Sequence, residues 1–161
     1  MDWSPQQHQA LEKVAAWFKS YRASGKGQVF RVFGYAGTGK TTLARHFAEQ
    51  TGGLVRFAAF TGKAALMMER SGCHGASTIH SLLYNARTRK DGSVKFALDK
   101  DGPASDADLI VIDGGRAQRD SAIAAREEAG AWSVAMVGLA KARAVKEGMM
   151  QNLLTGRVRL V

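Results

Sequence analysis

Apolar positions recur along the first two thirds of the chain in two rhythms, one near 3.6 residues and one of short continuous runs. Ala10, Leu11, Val14, Ala15, Phe18 and Tyr21 form a helical stripe. Ser4-Pro5 ahead of it places an N-cap residue before a proline in the first turn, so the pattern predicts a helix over 4–22 that ends at Ala23-Ser24-Gly25-Lys26-Gly27. Residues 28–33, rich in β-branched and aromatic side chains, read as a strand; residues 42–49 return to helical spacing until Thr51-Gly52-Gly53 closes them. Residues 54–60 form a second strand, Thr61-Gly62-Lys63 opens a helix running to Arg70, and residues 78–84 form a short helix. Residues 85–105 are polar and turn-rich apart from 94–98, a short edge strand. Residues 108–113 are an apolar run of the kind buried on both faces of a parallel sheet, and they end in a carboxylate.

After Gly114 the character changes, with Ala, Arg, Glu, Lys and Met dominating. Residues 119–129 and 138–154 read as helical, with Gly130 as a break and residues 133–137 as a weak strand. Alternating strands and helices predict an α/β three-layer sandwich around a mainly parallel sheet, C-terminally truncated and followed by a helical tail. With 161 residues there is room for one domain, so the expected division is a nucleotide-binding lobe over 1–113 and a helical appendage over 114–161 that is not a domain of its own. Ligands in such folds bind beyond the carboxyl ends of the strands. Residues 34–41, 61–63 and 113 all fall at those ends, so three distant segments are expected to converge on one edge.

Gly34-Tyr35-Ala36-Gly37-Thr38-Gly39-Lys40-Thr41 fits G-x-x-x-x-G-K-[ST], between a strand and a helix as that phosphate-binding loop requires. Glycines at 34, 37 and 39 let main-chain N–H groups approach phosphate oxygens, and the start of the next helix adds partial positive charge. Lys40 is then placed to reach the β- and γ-phosphates and the Thr41 hydroxyl to ligate Mg²⁺. The cofactors expected are therefore ATP and Mg²⁺, held by Gly34, Gly37, Thr38, Gly39, Lys40, Thr41 and Thr42.

Composition adds a partner class. The formal net charge is +9, and it is spread, +5 over residues 1–113 and +4 over 114–161. Such a balance favours polyanions, nucleic acid above all, although no single basic run marks a binding face. The one cysteine, Cys73, excludes an internal disulfide and any multi-cysteine zinc site, which fits a reducing compartment. No apolar run approaches the length needed to cross a bilayer and the N-terminus lacks a signal-peptide pattern, so a cytoplasmic protein is expected.

Residues 1–113 resemble the first motor domain of RecD-like superfamily 1 DNA helicases, P-loop ATPases of the AAA type with a RecA-like fold. Ser4-Pro5-Gln6-Gln7-His8-Gln9-Ala10 is similar to the family's Q motif, and the resemblance implies that Gln7 reads adenine. Residues 34–41 resemble motif I. Ala59-Phe60-Thr61-Gly62-Lys63-Ala64-Ala65 and Ser77-Thr78-Ile79-His80-Ser81-Leu82-Leu83 resemble the two motifs that hold single-stranded DNA, implying DNA contacts from Thr61, Gly62, Lys63, Thr78 and His80. Taken singly, Gln7 also suits a solvated helix position. His80 also suits a hydrogen-bonded core position. Asp113 resembles the Walker B aspartate that positions Mg²⁺ through water and, with Lys40, forms the implied catalytic pair. The family's next residue is a glutamate that activates the attacking water, whereas here it is Gly114.

Nothing after Asp113 matches the family's Gly-Asp-x-x-Gln segment, and no second motor lobe follows. The resemblance thus implies a helicase-like lobe that binds ATP and single-stranded DNA with weak or absent hydrolysis and no unwinding of its own. Residues 139–161 resemble the C-terminal end of type I restriction enzyme specificity subunits. The alternative expectation is a vestigial or recombined fragment that acts as an interaction module, docking a protein partner through a helix over 139–161.

Overall fold

A computed structural model describes residues 2–26, 28–99, 101–114, 120, 122–124, 134–141 and 157–160. The first helix, α1 (Pro5–Ser24), starts at a reciprocal cap: the Ser4 hydroxyl accepts from the Gln7 N–H at 3.3 Å, and the Gln7 side-chain oxygen accepts from the Ser4 N–H at 2.9 Å. This Ser-x-x-Gln box satisfies two of the donors that a helix start leaves open. Of the predicted stripe, Ala10, Val14, Phe18 and Tyr21 are buried.

Strand β1 (Val29–Gly34) follows, then α2 (Lys40–Gln50), β2 (Val55–Ala59), α3 (Gly62–Arg70), a two-residue β3 (Ser77–Thr78) and α4 (Ile79–Leu83). Next come β4 (Tyr84–Thr88), β5 (Val94–Leu98), β6 (Leu109–Asp113), β7 (Ala135–Lys141) and β8 (Arg157–Leu160). Six strands form one sheet in the order β3-β2-β6-β7-β1-β8, and every pairing in it is parallel. Alternation along β6 explains its position. Leu109 and Val111 enter one core with Phe18, Phe47, Leu43 and Met68 from α1, α2 and α3. Ile110 and Ile112 enter the other with Ile79, Leu82 and Leu83 from α4. Both faces of the sheet are therefore covered, as an uninterrupted apolar strand demands, and the three-layer α/β sandwich of a RecA-like fold results.

Two expectations change. Residues 94–98 are no edge strand of this sheet; β5 pairs antiparallel with β4 in a separate hairpin, with Ala86 opposite Phe96 and Arg87 opposite Lys95. Residues 138–141 are strand, not helix. They complete β7, which lies between β6 and β1 with Val111 and Phe30 both in register with Val137. The apolar residues of 134–139 do not have helical spacing; they are continuous, and Val134 through Leu139 is buried on both sides. The rest of the expected helix, 142–154, and most of 119–129 lie outside the described residues. Among the described residues, no helix is long and apolar enough to cross a membrane.

Leu109 is fully buried between β2 and β7. Replacing it with alanine is expected to cost about 2–5 kcal/mol of unfolding free energy in urea denaturation. A cost under about 1 kcal/mol would mean that β6 does not occupy the centre of the sheet.

Candidate nucleotide site

The loop between β1 and α2 begins where the sheet stops. Gly37 and Gly39 have φ of +81° and +76°, in the left-handed region where a side chain is strained, and Gly39 caps α2. The loop is closed by its own side chains. Lys40 Nζ donates to the Gly34 carbonyl at 2.9 Å and the Tyr35 carbonyl at 2.7 Å, and the Thr38 hydroxyl donates to the Tyr35 carbonyl at 2.9 Å. The lysine ammonium is thereby held at the mouth of the nest, bonded to acceptors that the oxygens of a phosphate can replace.

Gln7 ties α1 to this loop. Its Oε1 accepts from Ser4 N–H, a group that can only donate, which fixes the amide's orientation and leaves Nε2 to donate to the Thr38 carbonyl at 3.2 Å. A Cβ on Gly39 would lie 3.1 Å from that Nε2, so glycine at 39 also leaves room for the glutamine. One N–H and one lone pair of the amide remain for a ligand. The solvated reading of Gln7 is thus replaced by a structural tie. The Ser4-x-x-Gln7 spacing is a capping-box signature that a reading of the sequence can find; the reach across to Thr38 is a tertiary contact it cannot.

Asp113 ends β6 in register with Ala59 of β2 and Leu139 of β7. Burial pushes its carboxyl above the ordinary carboxylate range, and the positive charge of Lys40 pulls it part of the way back. Gly114 follows, its N–H donating to the Leu139 carbonyl at 3.1 Å, so the position after Asp113 offers a backbone group and no carboxylate. Thr41 and Asp113 are hard oxygen donors that suit Mg²⁺, which keeps several waters and takes phosphate oxygens for the rest. Among the described residues no group of three His, Cys, Asp or Glu could hold a metal by itself. Cys73 lies below the start of α2, its Sγ 3.9 Å from the Thr41 carbonyl; burial pushes its thiol up to about 11, so it stays protonated packing material.

The remaining candidates gather on the other half of the same edge. Thr61 caps α3, its hydroxyl accepting from Ala64 N–H at 3.2 Å, and Thr61, Gly62 and Lys63 are exposed. Thr78 ends β3 in register with Ala59 and caps α4 through a reciprocal box with Ser81. His80 is exposed, with its ring 5.8 Å from that of Tyr84, which removes the core-histidine reading. The three segments therefore do converge on the carboxyl edge, in two groups: Gln7, Thr38, Lys40 and Thr41 beside β1, and Thr61, Lys63, Thr78 and His80 beside β2 and β3. Two strands, β6 and β7, lie between the groups, and β6 carries Asp113.

A parallel sheet with a phosphate-type loop after its first strand and a carboxylate at the end of another defines a P-loop α/β protein. The match of residues 3–159 to the family model described as "AAA domain" makes it specific: the chain belongs to that family. Among solved structures, it is similar to Pif1 helicases. A structure titled for DNA unwinding at forked duplexes by two coordinating Pif1 helicases has a TM-score of 0.62 at 18% identity, covering 99% of this chain and 44% of that one. A Pif1 helicase from Bacteroides has a TM-score of 0.60 at 17% identity, covering 100% and 42%. Bacteroides Pif1 in complex with ADP-AlF3 and single-stranded DNA has a TM-score of 0.59 at 18%, covering 96% and 36%. The chain thus spans less than half the length of these structures. No curated protein matches it.

Two predictions rest on this geometry. Gln7→Ala removes the side-chain half of the capping box and the tie, leaves the backbone bond to the Ser4 hydroxyl, and is expected to cost about 1–2 kcal/mol. Gln7→Glu keeps the acceptor for Ser4 N–H but sets an oxygen against the Thr38 carbonyl. Amide hydrogen exchange around Thr38 should quicken in both variants, while the first turn of α1 loosens only in the alanine variant; equal protection of the loop in wild type and both variants would refute the tie. For Asp113, a carboxyl whose folded pKa is raised binds its proton more tightly in the native state, so stability falls as pH rises through the window above the ordinary carboxylate value of about 4. Without nucleotide or Mg²⁺, the thermal midpoint of the wild type should fall relative to Asp113→Asn between about pH 4 and neutrality. Parallel curves would mean that the carboxyl is solvated.

Proposed function

We propose that the chain is the nucleotide-binding motor lobe of a helicase-like ATPase, binding Mg·ATP at the β1–α2 loop and single-stranded DNA along the β2–β3 end of the same edge. The observation that carries this reading is the pre-formed loop, with Lys40 held on the Gly34 and Tyr35 carbonyls and Gln7 bonded to the Thr38 carbonyl. Gly37, Gly39 and the start of α2 direct backbone N–H groups at the phosphates, Lys40 leaves its loop carbonyls for the β- and γ-phosphate oxygens, and the free N–H and lone pair of Gln7 face the adenine edge. Mg²⁺, when bound, neutralises charge on the phosphates; Thr41 and the carboxylate of Asp113 would hold it and its waters. The Bacteroides Pif1 complex with ADP-AlF3 and single-stranded DNA supports both ligands.

Thr61, Gly62 and Lys63 present a helix start and a cation to a DNA phosphate, with Thr78 and His80 beside them. Hydrolysis is expected to be weak. Gly114 gives the attacking water no general base, whose loss typically lowers a rate by about 10²- to 10⁴-fold. The reading suits a cytoplasmic protein, where ATP and DNA are at hand. The alternative, a module that docks a partner through a helix over 139–161, is less well supported, because residues 139–141 and 157–160 belong to the sheet.

The test is an equilibrium titration with a fluorescent ATP analogue and Mg²⁺. Saturable binding is expected in the wild type, with a loss of about 100-fold or more in a Lys40→Ala variant that still unfolds cooperatively, since a charge-assisted contact is removed while the core stays packed. Equal binding by both proteins, or none by a folded wild type, would overturn the reading. Binding of an oligo-dT that weakens as salt rises would support the second ligand.

A further inference from the structure

Helix α3 buries Ala65 and Met68 against the sheet, and its opposite side faces solvent. At positions i, i+3, i+4 and i+7 along that side stand Lys63, Leu66, Met67 and Arg70, with Phe60 just before the cap. Residues so spaced are neighbours on one helix face. Leu66 is 50% exposed, Met67 54% and Phe60 52%. An amphipathic helix on a sheet normally turns only polar side chains outward, whereas this one sets two large aliphatic residues between two cations. The exposed apolar surface is on the order of 300 Å², the lower end of the size of the largest patch on a single chain, which often has a role. Among the described residues, neither Lys63 nor Arg70 makes an ion pair.

The chemistry of the stripe selects its occupant. Lys63 and Arg70 are seven residues apart, about 10 Å along the helix axis, so they suit two carboxylates separated by two turns of a partner helix. Leu66 and Met67 between them offer apolar contact, and the unbranched methionine adapts to an irregular surface. Phe60, before the cap, offers a ring to a base at that end, but the centre at Leu66 and Met67 gives a nucleic acid no ring to stack on and no hydrogen bond to an edge. A second copy is also a poor fit, since a two-fold contact through this face brings its cations against cations. We infer that the outer face of α3 docks an acidic amphipathic segment of a partner protein, whose apolar residues at helical spacing seat on Leu66 and Met67 and whose carboxylates pair with Lys63 and Arg70. This surface needs no nucleotide. It shares only Lys63 with the proposed DNA edge, so partner and strand compete there.

The probe is a fluorescein-labelled 18-residue peptide with Leu at i, i+3, i+4 and i+7 and Glu at most other positions, read by fluorescence anisotropy against the full chain. A scrambled peptide of the same composition serves as its control. Saturable binding of the patterned peptide is expected, weakening with salt, with a loss of about tenfold or more in Leu66→Ser/Met67→Ser and in Arg70→Glu. Both variants should keep the wild-type thermal midpoint and affinity for the fluorescent ATP analogue. Equal binding of the two peptides, no binding, or undiminished binding by the variants would overturn the inference. So would a serine variant that loses oligo-dT affinity or self-association in sedimentation while keeping the peptide, because the face would then belong to a nucleic acid or a second copy.

Discussion

Among the described residues, strand β1 has no strand beside it from the first 113, and the phosphate-type loop hangs from its end. Its backbone N–H and C=O groups must be paired, because a strand packed between two layers has no water to turn to. The partners come from far along the chain: β7 on one side, with Val29 to Gly34 in register with Met136 to Lys141, and β8 on the other, with Arg31 to Gly34 in register with Arg157 to Leu160. A further bond, from Met136 N–H to the Gln28 carbonyl at 2.8 Å, extends the first ladder at its entry. The division of the chain after Asp113 therefore does not divide the sheet. The site near the N-terminus exists in its observed form because residues beyond 134 complete the strand that presents it.

The same constraint places the charges. With β6 and β7 between β2 and β1, Asp113 sits at mid-edge, close enough to Lys40 to feel its charge yet buried enough that its carboxyl is raised. Lys40 bonds to loop carbonyls, and its charge relieves Asp113 of only part of its burial cost. A carboxyl raised by burial and an ammonium held at a phosphate-type loop are what the proposed Mg·ATP reading requires. Gln7 adds a mechanical link, since the amide that caps α1 also holds the loop. Whatever displaces the Nε2 bond to Thr38 reaches the start of the first helix as well.

The hairpin and α3 show how a sheet of this topology leaves surface to spare. β4 and β5 lie outside the main sheet and expose Val94 and Phe96, while α3 exposes Leu66 and Met67 on the edge that carries Thr61 and Lys63. Neither exposure follows from the needs of the core, which is filled on one face by α1, α2 and α3 and on the other by α4.

Local rules were enough for much of this. The stripe from Ala10 to Tyr21, the Ser4-Pro5 start, the strand–loop–helix around Lys40 and the doubly buried run ending at Asp113 follow from periodicity, capping and glycine alone, because their causes lie within a few residues of one another. The loop's shape was legible for the same reason: a nest is a local backbone conformation. Strand order was not legible. That β7 enters between β6 and β1, that residues 138–141 extend rather than coil, and that 94–98 pairs with 84–88 all depend on partners distant in sequence, and a short apolar run has no periodicity that separates strand from helix. The Gln7–Thr38 bond, the burial of Asp113 and the exposure of His80 were decided in the same way. Each is a fact about which surfaces meet, and only the packed sheet brings those surfaces together.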